Sequence, residues 1–233
     1  MLPQLTGIKG TILDLFFPKR CVGCGREGYY ICFSCRRTIR RILPPICPRC
    51  GRPQPGGTLC PSCINQQIGV DGIRSPFRFE GVIREAIHQF KYSNLRDLSG
   101  FLAGMLYEYL LKYPMPGDVL VPVPLHPRRL RERGYNQSVL LAKELGRLTA
   151  LPVIENCLWR TKYTSQQAIS ISVQDRYRNV AGVFDCRDNS IRDYNVVLVD
   201  DVATSGATIN ACARSLKAAG AASVWGLVVA REI

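Results

Sequence analysis

The stretch Val196-Val197-Leu198-Val199-Asp200-Asp201-Val202-Ala203-Thr204-Ser205-Gly206-Ala207-Thr208 decides the reading of this chain. Four branched apolar residues run without polar alternation, the pattern of a strand buried on both faces of a parallel sheet. Two aspartates follow, where that strand is expected to end. A short loop of small hydroxyl residues and Gly206 comes next. Ile209, Cys212, Ala213 and Leu216 then repeat at i, i+3, i+4 and i+7, which predicts a helix. In open α/β sheets, ligands bind beyond the carboxyl ends of the strands. A loop that leads into a helix N-terminus also offers free N–H groups to an anion.

Ala203, Thr204, Ser205, Gly206, Ala207 and Thr208 can wrap one phosphate with backbone N–H groups and three hydroxyls. Gly206 permits the positive φ that such a wrap needs. Asp200 and Asp201 would repel that phosphate, so they need another task. An ionised carboxylate only accepts hydrogen bonds, and a vicinal ribose diol supplies donors. A sugar phosphate with a free diol is the ligand this stretch implies. The plainer alternative is that the two acids cap a turn and the following helix.

At 233 residues the chain accommodates one core of ordinary size and a small appendage. No apolar run reaches the roughly 18 residues that a membrane-spanning helix requires. The basic, apolar and small-residue order of a signal peptide is missing from the N-terminus, so a cytoplasmic protein is expected. The net charge of +13 points to polyanionic partners or phosphorylated substrates. It is uneven: residues 1–63 hold ten Lys or Arg against Asp14 and Glu27.

Leu5, Ile8, Ile12, Leu15 and Phe16 have helical spacing, and Pro18 would stop that helix. A packing role is expected. Membrane attachment is the weaker alternative, because the polar face has no basic stripe.

Eight of the eleven cysteines form four CxxC pairs: Cys21/Cys24, Cys32/Cys35, Cys47/Cys50 and Cys60/Cys63. Two thiolates three positions apart on a tight turn can share a tetrahedral ion, and two such turns complete a four-cysteine site. One or two structural zinc ions are expected, with the first four cysteines around one ion and the last four around another. An interleaved pairing stays open. Disulfides do not suit a cytosolic chain, and a redox CxxC is usually single. The arginines interleaved with these pairs have two readings of equal weight, a nucleic-acid contact and a solvated basic face. The domain division is 1–66, an N-terminal helix with a double zinc ribbon, and 67–233, an α/β body.

In the body, Ile73 to Phe79 predicts a strand, and Ile83, Ile87 and Phe90 predict a helix that ends at Lys91-Tyr92. A longer helix is expected over 95–112. Val119 to Pro124 predicts a second buried strand. It runs into a loop with four arginines, Arg128, Arg129, Arg131 and Arg133, which reads as an anion site after a parallel strand or as a solvated surface. Ser223 to Ala230 predicts the last buried strand. Cys157, Cys186 and Cys212 lack metal spacing and read as packing residues, and His88 as a surface or packing residue.

The acid pair and hydroxyl loop resemble the phosphoribosyl-pyrophosphate (PRPP) loop of type I phosphoribosyltransferases. That resemblance implies a parallel sheet flanked by helices. It implies ribose contacts at Asp200 and Asp201 and a 5′-phosphate cradle at Ala203 to Thr208. The commonest family form has two threonines before the glycine, and Thr204-Ser205 keeps both hydroxyls. In that family the loop after the corresponding strand receives the pyrophosphate, often with a strained peptide. The residues so implied are Val123, Pro124, Leu125, Arg128, Arg129 and Arg133. Asp200, Asp201 and Arg133 would be catalytic, Mg2+ would accompany PRPP, and Lys162, Gln167 and Arg176 would lie on a mobile loop that closes over it.

The wider pattern is similar to the ComF and GntX-like competence proteins. The matching features are the four CxxC pairs, Lys91-Tyr92, the Arg128 to Arg133 run, and Arg133-Gly134-Tyr135-Asn136-Gln137. Arg160, Thr161, Thr164, Gln167, Asp175-Arg176, Asn179-Val180, Gly182 and Phe184 match as well. Ala168-Ile169-Ser170 departs from the pattern, where a leucine would precede the serine. The resemblance implies a link to DNA uptake in natural transformation. Two functions follow from it. One is Mg2+-dependent phosphoribosyl transfer from PRPP to an unknown acceptor. The other is non-catalytic handling of single-stranded DNA, with PRPP as a regulator or unused, and with a competence helicase or other DNA-uptake proteins as partners. Tyr29, Tyr30 and Phe33 would supply stacking faces for single strands.

Overall fold

The computed structural model describes residues 19–64, 69–93, 95–162, 182–186 and 189–233. The expected helix over 5–17, most of the 161–180 loop with Gln167 and Arg176, and the boundary residues 65–68 lie outside them.

The cysteine-rich segment is one motif built twice. The Cys21 N–H donates to the Arg26 carbonyl at 2.8 Å, and the Cys47 N–H donates to the Arg52 carbonyl at 2.8 Å. The Gly25 and Gly51 amides turn back onto the carbonyls of Cys21 and Cys47 at 2.7 and 2.9 Å. Both glycines have positive φ, 75° and 73°, which side chains disfavour. The third cysteine of each set donates its N–H to the first sulfur: Cys32 to Cys21 at 3.2 Å and Cys60 to Cys47 at 3.4 Å. The fourth cysteines sit on short helices, α1 (Phe33–Arg37) and α2 (Pro61–Ile64).

The body begins with β1 (Gly72–Arg74) and β2 (Phe77–Arg78). One strand is expected over 73–79. It is broken because Pro76 has no N–H to give a ladder, and the Ser75 hydroxyl donates to the Phe77 and Val229 carbonyls instead. Then come α3 (Gly81–Tyr92), α4 (Leu98–Lys112), β3 (Val119–Pro122), α5 (Pro127–Arg133) and α6 (Gln137–Thr149). The chain closes with β4 (Leu158–Arg160), β5 (Phe184–Cys186), β6 (Asn195–Ala203), α7 (Ala207–Ala218) and β7 (Ser223–Arg231).

The main sheet is parallel throughout, in the order β1-β7-β6-β3, with β2 continuing along β7 beyond β1. Val197, Val199, Leu227 and Val229 pack against α3, α4 and α6. Val196, Leu198 and Val228 pack against α7 and the antiparallel β4–β5 pair. Helices thus cover both faces, so the strands read as unbroken apolar runs. Each fully buried leucine of α4 and α6 contributes about 1.5–3 kcal/mol.

β6 does not stop before the aspartates. It continues to Ala203, because β7 supplies partners to the end: Asp200 faces Val228 and Ala203 faces Arg231. On its other side β3 ends with Pro122 opposite Val199, after a last bond from the Val123 N–H to the Val199 carbonyl. Pro124 cannot extend that ladder. The acid pair therefore lies on a stretch of strand paired along one edge.

Candidate functional site at the carboxyl edge of the sheet

The acid pair is held from two helices. The Lys91 ammonium, at the end of α3, meets Asp201 at 2.7 Å, and both side chains are largely buried. The Ser138 hydroxyl, in the first turn of α6, donates to Asp200 Oδ1 at 2.8 Å, and the Asp201 N–H donates to the same oxygen at 2.9 Å. Burial, and then the Asp201 charge, push the Asp200 carboxyl up to about 7, against the opposing pull of Lys91 and Ser138.

The loop after β6 has the conformation its glycine was expected to allow. Gly206 sits at φ 84° and caps α7, the Ser205 hydroxyl accepts from the Ala207 N–H at 3.3 Å, and Ala203 and Ala207 are buried. Thr204, Ser205 and Thr208 are half-buried. A side chain at Gly206 would lie 3.0 Å from Ile73 Cδ1 and 3.7 Å from the Arg231 guanidinium. Arg231 itself is almost wholly buried.

Pro124 and Leu125 follow Val123 at the end of β3, and the Val123 carbonyl accepts from the Asn136 side chain at 3.0 Å. His126 caps α5 by accepting the Arg128 N–H. Arg128 points outward to Glu132 at 3.0 Å, and Arg129 is half-buried. Arg133 turns inward. It donates to Gln137 Oε1 at 3.0 Å and to the Tyr92 hydroxyl at 3.3 Å, and its guanidinium lies 5.0 Å from the centre of the Tyr92 ring. Tyr92 follows Lys91, and Gln137 precedes Ser138. Arg133 is therefore joined to the acid pair through both of the helices that hold it. The loop over 122–127 carries neither a cis peptide nor a positive φ, against the strained peptide that the resemblance implied. Its three prolines fix φ near the ordinary value. Lys162 is exposed, just beyond β4.

Beside Pro124 and Leu125 opens an apolar cavity of about 410 Å³, walled by Leu130, Tyr135, Leu158 and Trp159, with Glu155 and Arg160 at its margin. Among the buried side-chain nitrogens of the described residues that make no hydrogen bond are Gln137 Nε2, next to Arg133, and Arg52 Nε, next to the loop.

Both cysteine sets suit a tetrahedral ion. In each, the four sulfurs lie within 4.8 Å of one another, grouped Cys21, Cys24, Cys32, Cys35 and Cys47, Cys50, Cys60, Cys63. Cys24 to Cys32 and Cys50 to Cys60 are each 3.6 Å between sulfurs. A zinc–sulfur bond of about 2.3 Å gives roughly 3.8 Å along a tetrahedral edge. None of the eleven cysteines is in a disulfide. Burial raises the Cys21 and Cys47 thiols, but surrounding N–H donors outweigh it and bring both to about 6. In the same sets burial and the neighbouring thiols push Cys35 up to about 12 and raise Cys50 and Cys63, so ionising all four calls for a shared cation. The two sets are thus two structural zinc ribbons, in the sequential grouping expected.

Lys91, Ser138, Arg52 and Arg231 join the site without a site role assigned to them in the sequence. Lys91 stands out there only as the end of a helix and as part of the Lys91-Tyr92 pair that matches the competence proteins. Arg231 is the one charge that closes an otherwise apolar strand, a signal that could have marked it. Nothing in the spacing separates Arg52 from Arg26. Tyr30, read as a stacking face, is instead spent on the body: its hydroxyl donates to Asp97 at 3.1 Å.

Residues 12–64 match the double zinc ribbon domain family. Among solved structures, glutamine PRPP amidotransferase from B. subtilis is 22% identical over 57% of this chain, with a TM-score of 0.40. The chain spans 26% of that enzyme's length. Purine phosphoribosyltransferase from Pyrococcus horikoshii Ot3 is 21% identical over 56% of this chain and 70% of its own, with a TM-score of 0.35. Competence protein ComFC of Bacillus subtilis is 32% identical over 87% of this chain and 84% of its own. Competence protein F of Haemophilus influenzae is 31% identical over 91% of this chain and 97% of its own. DNA utilization protein YhgH of Escherichia coli K12 is 30% identical over 83% and 87%. With a double zinc ribbon joined to a parallel α/β body, and with relatives at this identity over nearly their full length, this chain belongs to the ComF family of competence and DNA-utilization proteins.

Proposed function

We propose that the body binds PRPP together with Mg2+ and transfers its phosphoribosyl group to an acceptor, in the service of DNA uptake. One observation carries this reading. A carboxylate pair stands at the one-sided end of β6, directly before a hydroxyl loop whose left-handed glycine opens α7. Asp200 and Asp201 accept from the ribose hydroxyls, and Ala203 to Thr208 hold the 5′-phosphate. Val123, Pro124, Leu125, Arg129 and Arg133 receive the pyrophosphate, with the orphan Gln137 donor beside them, and Arg128 joins them by exchanging Glu132 for the ligand. Lys162, exposed beyond β4, would add a contact to the substrate, and Gln167 and Arg176, outside the described residues, are proposed as further contacts. The bond from C1 to the pyrophosphate oxygen breaks, and pyrophosphate leaves with the electron pair. A bond from C1 to the acceptor forms, and the acceptor's proton goes to solvent. Mg2+, part of the substrate, and Arg133 stabilise the growing charge on the leaving group. The cavity beside Leu125 has the size and apolar lining of a small-molecule site and suits the acceptor.

A second reading has its own observation. Tyr29 and Phe33 on the first ribbon are 56% and 73% exposed, amid Arg20, Arg26 and Arg37, which are exposed as well. Such a surface pairs stacking faces with charge and suits single-stranded DNA. The relatives' names favour a DNA role for the whole protein, and a cytoplasmic place beside a competence helicase agrees with it. Among the described residues no helix is long and apolar enough to cross a membrane.

The discriminating experiment measures pyrophosphate release with Mg2+ and PRPP over a panel of bases and amines, beside salt-dependent binding of single strands. Release that needs both Mg2+ and an acceptor supports transfer. No release, with salt-sensitive strand binding that survives Asp200→Ala and falls with Phe33→Ala, favours the binding reading.

A further inference from the structure

Arg26 and Arg52 are counterparts: each follows the glycine of its knuckle, and each carbonyl accepts the N–H of the first cysteine. Their side chains part ways. Arg26 is exposed. Arg52 enters the body, where its Nη2 lies 3.4 Å from the Thr204 carbonyl, and its Nε is buried without a hydrogen bond. In a trans peptide the N–H points opposite to the carbonyl. Holding the Thr204 carbonyl toward the ribbon therefore turns the Ser205 N–H away from it.

The knuckle also reaches the loop through β1. The Ile73 N–H donates to the Arg49 carbonyl at 2.8 Å, and Arg74 donates to the Pro48 carbonyl at 2.9 Å. A side chain at Gly51 would collide with the Ile73 carbonyl, so the turn lies flat on β1. Ile73 in turn packs against Gly206. The turn from Pro48 to Arg52 thus backs the hydroxyl loop both by packing and by a charged donor.

We propose that the second zinc knuckle is a working part of the anion site. Arg52, placed by the ion at Cys47, Cys50, Cys60 and Cys63, is a positioning residue for the loop 203–208, and zinc occupancy there is linked to binding of a pentose phosphate. This rests on the reading of that loop as the 5′-phosphate cradle. Linkage is reciprocal: a ligand favoured by the zinc-bound form must hold the zinc in place. The first knuckle has no such coupling.

The test uses the full zinc-loaded chain and ribose 5-phosphate as probe. Calorimetry compares wild type with Arg52→Ala, Arg52→Lys and Arg26→Ala, each checked for two zinc ions. A chromophoric chelator follows zinc release from wild type with and without the probe. Arg52→Ala is expected to weaken the probe about tenfold or more, the usual effect of losing a hydrogen bond from a charged donor. Arg52→Lys recovers part of that, and Arg26→Ala changes nothing. Saturating probe slows release of one zinc equivalent and leaves the other unchanged. Equal affinity in Arg52→Ala, or release of both ions unaffected by probe that binds, overturns the linkage and leaves the cradle standing. Failure of wild type to bind ribose 5-phosphate or PRPP overturns the cradle and the linkage together. The release measurement needs no variant, so it decides the matter even if Arg52→Ala does not fold.

Discussion

The two zinc knuckles share a backbone and differ in what surrounds them. In the first, Cys24 is exposed and nothing lies within 4 Å of where a Gly25 side chain would stand. It is tied to the body by Arg36 to Glu108 at 2.7 Å and Tyr30 to Asp97, by Ile31, which enters the core, and by Val22, Cys35 and Ile39, which pack on it from outside. In the second, all four cysteines are buried, and the turn is pressed on β1 and the hydroxyl loop. The same motif thus serves as an outward-facing module in one place and as a wall of the site in the other. What a metal ribbon does is decided by its neighbours, not by its ligands.

The sharpest way to break that contrast is to remove equivalent ligands. Cys60→Ser and Cys32→Ser should each lose one of two zinc ions, measured by metal analysis. Cys60→Ser should also lower the melting of the body by roughly 10 °C or more, at about 2–4 °C per kcal/mol for a chain of this size. Cys32→Ser should move it by only a few degrees. Equal losses would erase the distinction. Next in size is the buried pair on the site side. Lys91→Met leaves the Asp201 carboxylate buried without its cation and should cost about 3–5 kcal/mol in denaturant unfolding. Adding Asp201→Asn should recover most of that.

The acid pair adds a pH dependence of its own. Because the Asp200 carboxyl stands near 7 when folded, above its ordinary 3.8, the folded state binds the extra proton between those values. That contribution to stability is full below about 4 and is lost as pH rises through about 7. If Asp200 holds a ribose hydroxyl as proposed, ligand binding runs the other way, since the ionised carboxylate is the stronger acceptor. Affinity should fall by up to about tenfold per unit as pH drops below 7, and Asp200→Asn should flatten the profile. The smallest effect belongs to the exposed side. Arg36→Ala removes an ion pair whose side chains are 37% and 53% exposed and should cost no more than about 1 kcal/mol.

Much of this was legible in the chain itself. Unbroken apolar runs at 119–123, 196–199 and 224–230 announce a parallel sheet, because strands buried on both faces dispense with polar alternation. CxxC spacing announces the knuckles and their grouping. The end of β6 was misplaced, since pattern alone cannot show that β7 lends partners as far as Arg231. The roles of Lys91, Ser138 and Arg52 were illegible for one physical reason: each meets its partner across 62 to 152 positions of chain. Local spacing carries no record of such meetings. Arg26 and Arg52 occupy identical local settings, and only the fold separates them.

The most direct measurement is calorimetric titration of the zinc-loaded protein with PRPP and Mg2+, beside the double variant Asp200→Ala, Asp201→Ala. The account predicts saturable binding by wild type and its loss in a variant that keeps both zinc ions and melts cooperatively. Absence of binding by folded wild type, or binding undiminished in the variant, would contradict it.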